Sequence, residues 1–296
     1  PMTQLWRINL KTDAVAGVDA RAFCFENKLL GVGWPVPEDA PTWEQYEELS
    51  ARIYKKVPVA CKTLKHRMKT GDLCWARTVH GEYYLARVEG DWEYRGSAAH
   101  RNADVVNVRK CAWVRVGTEA SVPGAVAASF GIGKTLQRVA SDSALLVSKK
   151  RFNERTEGAF TYPVEAQNLD LFALVSYEDC EDLVGLYLQA QFGYSVIPST
   201  CRRDTAGYEF VLVHRETGQE AVVQVKNGAV NLSTGALRSP GRQVFLFTSR
   251  GEYLGPPHED VTCLSRGDLL SFAASNRKRL PRRLQDLWEL ANPTAS

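Results

Sequence analysis

Apolar runs separated by turn residues predict a sheet in the C-terminal part of the chain. Three such runs occupy 210–213, 220–226 and 243–248. The run at 243–248 is continuous, as expected of a strand that is covered on both faces. The pattern therefore predicts three neighbouring strands.

A helix is predicted ahead of these strands. Apolar residues recur at helical spacing over 183–190, and Ser176 with Asp179 forms a capping box before them. Gly193 supplies the expected stop. A second capped helix is predicted over 265–276.

In the N-terminal part, the pattern of apolar residues predicts short strands that are rich in aromatic and β-branched residues. Segments 68–77 and 81–94 predict a hairpin around the His80–Gly81 turn, and a third strand follows over 105–116. Segments 5–10 and 31–34 predict further strands of the same domain.

Residues 118–165 connect these two parts and contain a relaxed phosphate-loop pattern over 128–135. Such a loop must follow a buried parallel strand, and 124–127 is a poor strand. We interpret Gly131–Gly133 as a turn before a helix that starts near Thr135. No nucleoside triphosphate is expected as a ligand.

At 296 residues the chain is about twice the usual domain size. We predict one domain over 2–117, a helical linker over 118–165 and a second domain over 166–296.

The seven cysteines form no Cys-x-x-Cys pair and are odd in number, which argues against a disulfide framework or a zinc site. The sequence has no run of about 18 apolar residues and no signal-peptide core. We expect a soluble, cytoplasmic protein that does not associate with membranes.

The net charge is only +3, but basic residues cluster in two places. We predict that both clusters contact a nucleic-acid backbone, although a solvated helix face is the ordinary explanation of such runs. The predicted contacts are Lys65, Arg67, Lys69, Arg282 and Arg283.

Glu209 on one predicted strand and Gln224-x-Lys226 on the next could converge, because side chains two apart on a strand share a face. The preceding helix, the strand at Tyr194 and these two strands follow one another in an order that resembles the PD-(D/E)XK nuclease superfamily. Within it, the Gln-x-Lys motif is similar to that of Mrr-like restriction endonucleases. The resemblance implies an α/β sandwich.

The resemblance also implies site roles. Glu209 stands in the slot of the usual Asp and would bind Mg²⁺ or Mn²⁺, with Asp204 or Glu181 completing the acidic set. Gln224 would orient the site or its water. Lys226 would position the attacking water and offset charge on the transition state. The family's crossover helix is hard to place in 227–241, which contains a proline and three glycines.

The Met68–Asp72 turn that leads into a strand resembles the EVE and wider PUA-like β-barrels, which include readers of modified bases. A flipped base stacks on aromatic side chains, and six of the seven tryptophans lie in this half. We predict Trp34 and Trp92 as members of a modified-base pocket, with Trp92 in a loop. Trp75 and Trp113 are expected in the core.

These features together predict a modification-dependent, type IV-like restriction or other defence endonuclease. Its partner would be double-stranded DNA, and a double-strand break would require a homodimer or repeated nicking. Two alternatives stay open. One is a nucleic-acid-binding module without catalysis, and the other is an RNA-directed reader or nuclease.

Overall fold

The computed structural model describes residues 2–10, 13–37, 39–40, 42–156, 160–164, 170–201 and 207–292. The chain divides into two compact units, 1–164 and 165–296, called unit 1 and unit 2 below. Within the described ranges, no helix combines the length and the apolar character needed to cross a bilayer.

Unit 1 contains six strands and six α-helices in its described part. They are β1 (Leu5–Ile8), α1 (Ala20–Glu26), β2 (Leu29–Val32), α2 (Trp43–Tyr54), α3 (Val59–Lys62), β3 (Leu73–Arg77), β4 (Tyr83–Tyr94), α4 (Ala98–Ala103), β5 (Asn107–Gly117), α5 (Gly124–Ser129), β6 (Leu136–Arg138) and α6 (Asp142–Arg155).

These six strands form one sheet in the order β2-β5-β4-β3-β1-β6. Strands β1 and β3 are parallel, and the other neighbours are antiparallel. Strands β2 and β6 are the two edges, and no pairing between them closes the sheet in the described part of unit 1. The closed barrel expected from the sequence is therefore replaced by an open sheet, whose edge strands have only four and three residues.

The Gly-Asp turn before β3 has a structural role. Asp72 is 2 % exposed, and its carboxylate accepts hydrogen bonds from the Gln4 and Lys69 amides and from the Trp6 indole, at 2.8–2.9 Å. A buried carboxylate needs such donors. Asp72 thus ties the start of β1 to the turn that begins β3.

Segment 118–164 belongs to unit 1 and is not the linker that we predicted. Strand β6 pairs with β1, and Val126, Phe130 and Phe152 share a core with Trp75. The helix expected near Thr135 was also wrong, since β6 follows there and α6 begins only at Asp142. Local helix propensity is overridden by pairing with β1.

The segment that matches the phosphate-loop pattern is bound by the side chain of Arg7. This side chain is fully buried, and its guanidinium donates to the carbonyls of Ser129, Ile132 and Lys134. A phosphate loop directs backbone N–H groups at its ligand, whereas here carbonyls converge on a cation. The segment is an arginine-bound turn, in agreement with the turn predicted at 131–133.

Unit 2 contains seven strands and four α-helices in its described part. They are α7 (Leu171–Leu174), α8 (Tyr177–Gln191), β7 (Tyr194–Val196), β8 (Phe210–His214), β9 (Glu220–Lys226), β10 (Leu232–Ser233), β11 (Gln243–Thr248), β12 (Tyr253–Leu254), β13 (Val261–Cys263), α9 (Arg266–Ser275) and α10 (Arg282–Ala291).

Five of these strands form a mixed sheet in the order β13-β11-β9-β8-β7, and β10 pairs with β12 in a small separate sheet. Strands β7, β8 and β9 are antiparallel neighbours, while β9, β11 and β13 are parallel. The three strands predicted at 210–213, 220–226 and 243–248 are confirmed, and β9 lies in the middle of the sheet.

The predicted helix caps are also confirmed. The Ser176 hydroxyl accepts from the Asp179 amide at 3.1 Å and donates to the Asp179 carboxylate at 2.9 Å, at the start of α8. Gly193 follows the helix with φ +71°. Ser265 caps α9. Between β9 and β11 the chain forms β10 and turns, and it forms no crossover helix.

Candidate active site and base-binding cleft

The start of β8 and the end of β9 bring predicted site residues of unit 2 together. Glu209 immediately precedes β8, and its backbone N–H donates to the Val223 carbonyl of β9 at 2.8 Å. Gln224 and Lys226 are two residues apart on β9 and therefore share a face of that strand. The side chains of Glu209 and Lys226 are in contact, as the sequence predicted.

Glu209 and Lys226 form an ion pair there. Lys226 Nζ lies 3.0 Å from Glu209 Oε1, which also accepts a long 3.4 Å hydrogen bond from the Val225 amide. The side chains are 35 % and 21 % exposed for the lysine and the glutamate. The pair is thus half-buried, open to solvent on one side, and held at the end of a central strand.

The end of β9 is braced immediately after Lys226. The Asn227 amide donates to the Val175 carbonyl at 2.8 Å, and Ser249 donates to the Asn227 side-chain oxygen at 2.7 Å. Ser249 in turn accepts from the Gly228 amide at 2.8 Å. This network joins the start of α8, the end of β9 and the end of β11, so it fixes the backbone that carries Lys226. No sequence pattern indicates it, because its members are far apart in the chain.

The other two acidic candidates for the site are Asp204 and Glu181. Asp204 lies outside the described residues. Glu181 lies on α8, and its charge, after burial, helps to raise the pKa of the Cys201 thiol. Helix α8 packs beside the sheet through Gly185, where an added Cβ would lie 3.3 Å from the Phe210 ring.

The two C-terminal arginines predicted to contact phosphate differ in their environment. Arg283 is bound by two carboxylates of α8, with Nε 2.7 Å from Asp179 and a second contact to Asp182. Asp179 is almost fully buried, so this arrangement favours a tether between α10 and α8 over a phosphate contact. Arg282 is 45 % exposed and lies 3.4 Å from Asp286 within α10.

In unit 1, the structure corrects the placement of Trp92. The residue lies within β4, beside a register shift between Val88 and Trp92, and not in a loop. It is 6 % exposed, its indole N–H donates to Asn107 at 3.1 Å, and its ring meets Trp43 edge-on at 5.1 Å. Trp92 is therefore a core residue.

The basic segment predicted to contact phosphate forms one π-helical turn, Thr63–Arg67. Lys65 lies over the Trp92 ring at 5.5 Å, and Arg67 lies over the Trp6 ring at 5.8 Å. Arg67 and Lys69 are exposed, while Lys65 is half-buried.

A buried arginine supports this turn from below. Arg109 donates to the carbonyls of Leu64 at 2.7 Å and Lys65 at 3.2 Å, and to the Gly90 carbonyl at 2.8 Å. Burial lowers its pKa, and the nearby Asp91 charge partly opposes that effect. The exposed cations of the turn are thus presented on a fixed backbone.

Trp34 has a different environment from Trp92. It is half-buried and adopts φ +64°, a left-handed conformation that costs on the order of 1–3 kcal/mol for a bulky residue and that concentrates at functional sites. It lines a cleft of about 260 Å³ together with Gly33, Tyr54 and Asp104. The side chains of Asp13, Pro35 and Thr135 complete the lining.

The sequence pointed to Trp34 in this cleft but not to Asp104. Its carboxylate accepts hydrogen bonds from the backbone N–H of Trp34 and, at 3.1 Å, from that of Asp13. Burial raises its pKa despite these bonds. Burial likewise raises the pKa of Tyr54, and the Asp104 charge adds to the effect. An aspartate after a short helix carries no distinctive pattern, which is why the sequence did not reveal it.

Residues 6–131 match the family model of a domain of unknown function, DUF8426. The match covers most of β1, all of β2 to β5, and the cleft residues Trp34, Tyr54 and Asp104. No curated protein and no solved structure gives a significant match to the chain.

Proposed function

We propose that the chain is a metal-dependent DNA endonuclease that acts on base-modified DNA, as a restriction or antiviral-defence enzyme does. One observation carries the proposal. Glu209 and Lys226 meet at 3.0 Å at the end of a central strand, and Gln224 shares a strand face with Lys226. A carboxylate, an amide and a lysine so arranged can hold a cation and an attacking water beside a phosphate.

The order of elements supports a PD-(D/E)XK-type domain. Helix α8 is followed by the antiparallel strands β7, β8 and β9, and then by β11, which is parallel to β9. This order is similar to that of Mrr-like nucleases, apart from the missing crossover helix. The open sheet of unit 1 would serve as the EVE/PUA-like reader.

The residues present fit Mg²⁺ or Mn²⁺. Mg²⁺ keeps several waters and is usually held by only one or two carboxylates, and the Glu209 carboxylate with the Gln224 amide oxygen would supply oxygen ligands. When bound, the metal would stabilise charge on the phosphoryl oxygens and lower the pKa of a bound water.

The chain's own residues have separate tasks in this mechanism. The Lys226 ammonium would lie beside the scissile phosphate and offset the negative charge that develops there. Glu209 holds the lysine in place through the ion pair. One such site cuts one strand, so a double-strand break requires a homodimer or two successive nicks.

The proposal is tested by cleavage of supercoiled plasmid. Plasmids with and without cytosine or adenine modification are incubated with the protein in Mg²⁺, Mn²⁺ or EDTA, and nicked and linear forms are measured on gels. We expect metal-dependent nicking of a modified plasmid. The absence of nicking under every combination, with a folded protein, would refute an endonuclease.

A second function is favoured by one observation. In the part of the chain that the structure describes, no group of three His, Cys, Asp or Glu side chains is arranged to hold a metal ion, and Gln224 contributes no charge. A nucleic-acid-binding module without catalysis would need none. Such a module would bind DNA in the gel-shift assay and leave every plasmid intact.

A further inference from the structure

The cleft beside Trp34 has the size of a site for a small planar ligand. Its volume of about 260 Å³ lies just below the range of roughly 300–1,000 Å³ that is usual for small-molecule pockets. Trp34 and Tyr54 give it aromatic walls, and a flat heterocycle stacks on such side chains. A single nucleobase matches both properties.

The charges of the described lining disfavour a phosphate as the ligand of the cleft. Asp13 and Asp104 both belong to this lining, and none of its described residues is a cation. Among the described residues, Asp104 accepts from the backbone N–H groups of Trp34 and Asp13, and a carboxylate has roughly four acceptor positions. The Tyr54 hydroxyl donates to the Pro35 carbonyl at 2.7 Å, and its oxygen stays available as an acceptor. The site therefore favours a ligand that donates hydrogen bonds.

Described cations lie beside the residues that line the cleft. Lys55 and Lys56 directly follow Tyr54 and are both exposed. The charge of Arg101 acts on the Tyr54 hydroxyl and lowers its pKa slightly. This arrangement suits a nucleotide whose base enters the cleft while its phosphates stay outside against the basic rim.

The backbone of the cleft is held in an unusual conformation. Trp34 and Asp104 both have positive φ, at +64° and +49°. Gly33 lets the two meet, because any Cβ at this position would collide with the Asp104 carboxylate. The hydrogen bond from the Trp34 amide to Asp104 fixes the aromatic wall and the carboxylate relative to each other before a ligand arrives.

We propose that this cleft binds one extruded nucleobase that carries an exocyclic amino group, with the amino group donating to the Asp104 carboxyl and the ring stacking on Trp34. The amino-bearing bases are adenine, cytosine and guanine. Thymine is disfavoured because it has no exocyclic amino group, and its N3–H donor lies between two carbonyl acceptors that face the carboxylates unfavourably. The inference rests on the nucleic-acid-binding part of the proposed function and does not depend on cleavage.

The test uses the full chain and four duplexes that differ only in one unpaired central base, A, C, G or T. Affinities are measured in EDTA at one salt concentration, so that no cleavage takes part. We expect at least one amino-bearing base to bind more tightly than thymine, by roughly 5- to 150-fold, as for other well-placed base contacts. Equal affinity for all four duplexes would overturn the proposal. A failure to cut any plasmid would leave this result untouched.

Variants separate base reading from a structural role of Asp104. Asp104→Asn replaces one acceptor by a donor and should lose the preference or shift it towards thymine. Asp39→Asn removes the same charge from an exposed position outside the cleft and should keep the preference. A folded Asp104→Asn protein that still prefers the same base would contradict the assignment. The four wild-type affinities decide the question even if that variant does not fold.

Discussion

Replacing Lys226 by methionine separates the catalytic from the structural role of the Glu209–Lys226 pair. The two charged atoms are 3.0 Å apart, but the side chains remain 35 % and 21 % exposed. Exposed ion pairs contribute about 0.2–1 kcal/mol to stability, so Lys226→Met should lower the free energy of unfolding by about 1 kcal/mol or less. Loss of one group that stabilises transition-state charge lowers turnover by about 10²–10³-fold, or roughly 2.7–4 kcal/mol on the barrier.

The ion pair between Arg238 and Asp260 supplies the matched control. Arg238 Nε lies 2.8 Å from Asp260 Oδ1, and the two side chains are 44 % and 31 % exposed. The pair lies in the same unit, at the end of β11 opposite to the one beside Lys226. Arg238→Met should lower stability by a comparable amount and leave cleavage unchanged. Glu209→Gln keeps the shape of the glutamate and should abolish cleavage while weakening Mg²⁺ binding.

The assays are initial rates of plasmid nicking, urea unfolding curves and gel-shift affinities on the same preparations. DNA affinity should change little in Lys226→Met, because this side chain neutralises at most one phosphate. The reasoning fails if Lys226→Met cuts within a few-fold of the wild-type rate. It also fails if Arg238→Met loses cleavage in the same proportion, since the loss would then follow stability and not the site.

Three further predictions concern unit 1. A fragment of residues 2–164 should unfold cooperatively in urea, whereas 2–117 should not, because it lacks β6 and the carbonyls that satisfy Arg7; equal unfolding curves would contradict this. Neutralising Lys65, Arg67 and Lys69, which lie in or just after the basic turn, should reduce the slope of log affinity against log salt. We expect a reduction of about 0.9 for each phosphate that these side chains neutralise in the wild type. An unchanged slope would mean that they face solvent. The raised pKa of Asp104 means that the folded state binds its proton more tightly than the unfolded state, so this carboxyl makes stability fall as pH rises from about 3.9 through its folded pKa. Asp104→Asn should flatten that fall in pH-dependent urea unfolding, and a fall of unchanged steepness would show that other groups cause it.

Local patterns along the chain were enough to predict the main elements of unit 2 and the convergence of its site. Strand periodicity has a fixed period of two, so Gln224 and Lys226 share a face of β9, and the pairing of β8 with β9 brings Glu209 next to Lys226. The caps of α8 and α9 were equally local, since a serine and the amide three residues later are neighbours in any helix.

Features that depend on partners distant in the chain were set by the three-dimensional fold. Trp92 has a loop-like neighbourhood in sequence, but packing against Trp43 buries it in β4. Residues 136–138 are a strand because β1 offers an edge, and the phosphate-loop pattern is a turn because Arg7 binds its carbonyls. Asp104 meets Trp34 across about 70 residues of chain only because Gly33 leaves room for its carboxylate. Such contacts depend on the spatial arrangement of many residues, whereas periodicity and capping depend only on near neighbours.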